Sequence, residues 1–107
     1  MEINETSLNA TTVLALVGRL DVTACPGLDQ KVDALIGAGR HRIVYDCSHL
    51  DYVSSAGLRV FLVSAKKLKP LGGKAAFAAV TPAVREILEL SGFSSVMEIH
   101  PSVGELA

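Results

Sequence analysis

Two residue periodicities take turns along this chain, and their alternation limits the folds open to it. Glu2 to Leu8, a turn at Asn9-Ala10, and the β-branched and apolar run Thr11 to Val17 leading into Gly18-Arg19-Leu20-Asp21-Val22 read as two strands joined tightly. In the second of these, Val13, Ala15 and Val17 alternate with Leu14 and Leu16. Both faces are therefore apolar, as in an inner strand. Leu28, Val32, Leu35 and Ile36 then recur at helical spacing, with Pro26 where a first turn tolerates it and Gly37 and Gly39 closing the helix.

Arg42 to Cys47 reads as a short buried strand that runs through Ser48-His49-Leu50 into Ser54-Ser55. A second helix follows, with Leu58, Phe61, Leu62, Ala65 and Leu68 as its stripe and Lys66, Lys67 and Lys69 near its end, stopped by Pro70 and Gly72-Gly73. Lys74 to Val80 is an alanine-rich strand of poor β propensity. Thr81-Pro82 opens a third helix with Val84, Ile87 and Leu88 inward, and Ser91-Gly92 ends it. Val96 to Ile99 fits a last short strand, and Pro101 to Ala107 begins a fourth helix too short to hold. The sum is an α/β domain: a mixed sheet with an opening antiparallel hairpin and later parallel strands, packed with about four helices.

At 107 residues the chain suits one domain. Lys plus Arg at 10 against Asp plus Glu at 11 leaves no electrostatic footprint for nucleic acid or an anionic membrane. Its apolar runs are too short to span a bilayer, so no membrane insertion is expected. Met1-Glu2-Ile3-Asn4-Glu5 does not open like a signal peptide, which points to a cytoplasmic protein. Cys25 and Cys47 lie far apart without metal-ligand spacing and read as small core residues.

Chemistry concentrates in Asp51-Tyr52-Val53-Ser54-Ser55-Ala56-Gly57-Leu58. These residues put two hydroxyls at the start of a helix, where unsatisfied N–H groups and roughly half a positive charge favour an anion. A serine just before a helical apolar run is also the ordinary N-cap, worth about 0.5–2 kcal/mol over alanine. Two adjacent serines leave one hydroxyl spare.

Val17-Gly18-Arg19-Leu20-Asp21, Ile43-Val44-Tyr45-Asp46-Cys47-Ser48 and Leu50 to Leu58 together resemble a STAS domain of the anti-sigma factor antagonist family, over nearly the whole of residues 1–107. The resemblance implies an antagonist that, unmodified, binds an anti-sigma factor with serine kinase activity. Phosphorylation by that kinase ends the association, and a serine phosphatase reverses it. Carried over by its place two before Gly57, the phosphoacceptor is Ser55, with Ser54 as second choice because it stands where the commoner loop has aspartate. Asp21, Asp46, Asp51, Ser54, Ser55, Ala56, Gly57 and Leu58 are the implied partner-binding residues. The resemblance calls for no catalytic residue, metal or other cofactor. Self-association and the controlled sigma factor are left open.

Other readings draw less from the residues. A hydrolase would need His41, His49 or His100 beside Ser54, Ser55, Cys25 or Cys47, and no pair has a telling spacing. Gly72-Gly73-Lys74 lacks the frame of a phosphate loop and reads as a turn. The principal alternative is a STAS module without phosphorylation that binds a lipid or anion transporter. Val60 and Val63, off the main stripe of the second helix, are either an exposed docking face or covered by another helix.

Overall fold

The computed structural model describes residues 1–106. Five strands, β1 (Glu2–Leu8), β2 (Thr11–Leu20), β3 (Arg42–Val53), β4 (Lys74–Ala78) and β5 (Glu98–His100), form one sheet in the order β1-β2-β3-β4-β5. The β1–β2 hairpin is antiparallel and each later pairing is parallel. Asn9, at the hairpin turn, takes a left-handed φ of 56°. Parallel strands require crossovers, and α1 (Cys25–Gly37), α2 (Ser55–Leu68) and α3 (Pro82–Leu90) supply them.

The three helices share one face of the sheet. Leu14, Leu16, Tyr45 and Phe77 point to that face and pack with Leu28 and Val32 of α1, Phe61 and Leu68 of α2, and Val84 and Leu88 of α3. Tyr45, Phe61, Phe77 and Phe93 form a chain of ring contacts with centroids 4.7 to 6.1 Å apart. On the opposite face Val13, Val44 and Ala78 make a smaller cluster with Leu8 and Val103. Both faces of β2 are thus apolar and covered, though unequally.

Four details differ from the sequence reading. β3 runs on past Cys47 to Val53 because β2 extends to Leu20 and keeps offering a partner, with register shifts between Ala15 and Val17 and between Gly18 and Arg19. β4 ends at Ala78, since Ala79 turns to a φ of 54° while its N–H bonds the His100 carbonyl. β5 begins at Glu98, because Val96 and Met97 donate back to the Phe93 carbonyl and close a turn of 3-10 helix over Phe93–Ser95. Among the described residues the α-helices number three rather than about four: the final segment forms only a 3-10 turn over Val103–Leu106, and Ala107 lies outside the described residues. So few residues cannot offset the cost of nucleating an α-helix.

Candidate functional site

Parallel pairing of β2 with β3 sets Leu20 beside Val53, so the two strands finish together and α1 and α2 start side by side. Ser54 fastens this junction. Its N–H and its hydroxyl each donate to the Leu20 carbonyl at 2.9 Å, and the hydroxyl oxygen accepts the Gly57 N–H at 3.1 Å. Ser54 is 7% exposed, with an extended backbone that makes it the N-cap of α2. The Cys25 thiol lies 4.0 Å from its hydroxyl and bonds the Asp21 carbonyl.

Ser55 sits one step on, as the first residue of α2, and is exposed. It is therefore Ser54, not Ser55, that serves as the cap, because only the extended residue before the helix can turn its side chain back onto an N–H three positions ahead. The spare hydroxyl is that of Ser55. No acidic residue occupies the first turn of α2, while Lys66 and Lys67 lie in its last, so the positive end of the helix dipole is not neutralised from within the helix.

Gly57 is buried where α2 presses on the strand ends. A Cβ there would stand 2.8 Å from Leu20 Cγ and Cδ2 and 3.1 Å from Val53 Cγ1. Close approach, not a left-handed turn, requires glycine at this point. Ala56 and Leu58 flank it, each half-buried and packed against the core, and the Leu58 N–H bonds the Ser54 carbonyl at 3.0 Å.

The acidic candidates separate. Asp21 adjoins the site; its carboxylate accepts from the Thr23 hydroxyl at 2.7 Å and the Ala24 N–H at 3.0 Å, and these bonds, Thr23's foremost, hold its carboxyl below the usual carboxylate range. Asp51 is exposed on the last stretch of β3. Asp46 is not brought to the loop. It pairs across the sheet with Ala15 and Ala78 and accepts the Ser48 N–H, which leaves it on the order of 20 Å back along the strand from Ser54. Val60 and Val63 are half-buried, and Val60 packs against the core.

Tertiary structure adds contacts that the sequence did not show. The Leu20 carbonyl is the anchor for Ser54, and Arg19 lays its guanidinium 4.4 Å over the ring of Tyr52, its partner in register. Both neighbours come from another strand, so only the position of Arg19-Leu20-Asp21 at a strand end gave any signal. The Cys47 thiol is sealed in the core, where burial pushes it up to about 12, and His49 is exposed.

The STAS domain family model matches residues 2–106. BtrV of Bordetella bronchiseptica, named as an anti-sigma factor antagonist, is 33% identical over 102 residues, which cover 95% of this chain and 88% of that protein. The fold superimposes on the anti-sigma factor antagonist SpoIIAA in its unphosphorylated form with a TM-score of 0.80 at 20% identity, over 97% of this chain and 92% of that one. For the phosphorylated form of the Bacillus SpoIIAA the TM-score is 0.78 at 21% identity, over 98% and 96%. With a family match across nearly its whole length and a relative of this identity and coverage, the chain belongs to the STAS domain family.

Proposed function

We propose that the chain is an anti-sigma factor antagonist that works by partner switching in the cytoplasm. Its unmodified form binds an anti-sigma factor with serine kinase activity. Transfer of phosphate to Ser55 releases that partner, and a serine phosphatase restores the antagonist. The observation that carries this reading is the contrast between neighbouring hydroxyls: Ser54 is sealed and bonded on both sides, whereas Ser55 is exposed at the positive end of α2. A kinase needs the second kind of hydroxyl.

A phosphate adds about −1.5 to −2 charges. At the start of α2 the helix dipole favours that charge by roughly 0.3–1 kcal/mol, so the domain should stay folded. Within a packed interface the same charge must lose water, which costs several kcal/mol when no cation pairs with it. The interface term is the larger, and about 1.4 kcal/mol already changes affinity tenfold. The likeness of this fold to SpoIIAA in both its forms supports a switch that leaves the fold standing.

The test is incubation with an anti-sigma factor kinase from the same organism and ATP, followed by mass-spectrometric mapping of the site. Phosphate on Ser55, with loss of kinase binding, is the expected result. Transfer that is blocked by Ser54→Ala and not by Ser55→Ala would overturn the assignment, and full modification with unchanged affinity would overturn the mechanism.

A further inference from the structure

The far half of α2 carries a second feature, roughly 17 Å along the helix axis from Ser55. Leu62, Ala65 and Val96 line a concavity of about 410 Å³ edged by Lys66 and Lys69. A neighbouring concavity of about 210 Å³ shares Ala65, Lys69 and Val96 and continues to Lys74 and Glu98, so the two run together as one groove. Val96 is 57% exposed, because the turn at Phe93–Ser95 sends Phe93 into the core and leaves Val96 outside.

The charge of this groove is unlike that of the chain. Three lysines face one glutamate, a net of two positive charges, whereas the whole sequence carries −1. Lys74 is ion-paired with Glu98; among the described residues Lys66 and Lys69 have no such partner. An apolar floor with charge confined to the rim is the anatomy of a protein-docking patch, and a small-molecule site would instead need polar groups converging inward.

We propose that this groove docks an acidic segment of a partner protein, with apolar side chains seated on Leu62, Ala65 and Val96 and carboxylates against Lys66 and Lys69. Its distance from Ser55 makes it a second surface, able to hold a partner whether or not the serine loop is engaged. It stands apart from the proposed kinase contact, and neither depends on the other.

The test uses the full chain and a fluorescein-labelled amphipathic peptide with leucines on one helical face and glutamates on the rest, followed by anisotropy. Saturable binding is expected, weaker at high salt, reduced tenfold or more by the double substitution Lys66→Glu and Lys69→Glu, and lost in Val96→Asp. Because these positions are at the surface, circular dichroism should show each variant folded. Amide shifts on titration should cluster at Ala65, Lys69 and Val96 and spare Ser55. No saturable binding, equal binding of a peptide with lysines in place of the glutamates, or binding retained in the folded variants would overturn the proposal. A dimer that Val96→Asp dissociates would give the groove to a second copy of the chain, and binding to anionic vesicles in place of the peptide would give it to a membrane; either overturns the proposal too.

Discussion

The Ser54 hydroxyl donates to the Leu20 carbonyl at 2.9 Å and so ties the start of α2 to the end of the neighbouring strand. The tie gives two adjacent serines opposite characters. Ser54 is buried and bonded on both sides, and Ser55 is exposed.

Substitution should separate the two. Ser55→Ala removes an exposed hydroxyl that caps nothing, so its stability in urea should lie within about 0.5 kcal/mol of the parent, while phosphate transfer by the cognate kinase disappears. Ser54→Ala loses the cap and a buried hydrogen bond and should cost about 1–2 kcal/mol, with Ser55 still modified. Denaturant curves and mass mapping of the two proteins check both halves.

A charge placed at Ser55 should act on binding and not on folding. Ser55→Asp introduces an anion at the unneutralised N-terminus of α2, where the dipole tolerates it. Its circular dichroism and melting temperature should match the parent, and its affinity for the kinase should fall at least tenfold by calorimetry. An unfolded Ser55→Asp would contradict the separation of switch and fold.

Gly57→Ala pits helix propensity against packing. Alanine is favoured within a helix by about 1 kcal/mol, yet the new methyl would meet Leu20 at 2.8 Å, and Leu20 is fully buried with nowhere to retreat. Overpacking of this kind costs about 1–3 kcal/mol, so the variant should be less stable by equilibrium unfolding. A stabilised variant would show that the loop is looser than the structure makes it.

The buried Tyr45 hydroxyl donates to Ser64 at 2.7 Å, and Ser64 donates in turn to the Phe61 carbonyl at 2.7 Å. Ser64→Ala strands the tyrosine hydroxyl in the core and should cost about 1–3 kcal/mol, whereas Tyr45→Phe leaves Ser64 with its second bond and should cost about 1 kcal/mol. In the double variant the losses should fall short of additive.

Burial also sets an alkaline limit. Desolvation raises Cys47 from its ordinary 9.0 to about 12, and it raises Tyr45 above its ordinary 10.0. Both groups stay protonated in the fold at a pH where the unfolded chain has released its protons, so the unfolded state binds fewer protons and stability falls as pH rises. The decline should begin near pH 9 and continue to about 12. Cys47→Ala should make the decline shallower across this whole range and delay its onset to near pH 10, whereas Tyr45→Phe should make it shallower only above about pH 10, measured by urea unfolding.

Residue patterns determined much of this protein. The apolar spacing of Leu28, Val32 and Leu35, the stop at Pro70 to Gly73 and the alternation in Thr11 to Val17 reflect local periodicity, and they fixed the order of strands and helices. The serine loop was visible for the same reason, as two hydroxyls where a strand-like run meets a helical one. Tertiary structure decided the rest. The length of β3 depended on a partner strand in β2, the distance of Asp46 from the loop on that length, and the burial of Ser54 as the cap of α2 on the Leu20 carbonyl, which lies 34 residues away in the chain. A hydrogen bond over that separation leaves no periodic trace in sequence, because it is set by the strand register that brings the two ends together.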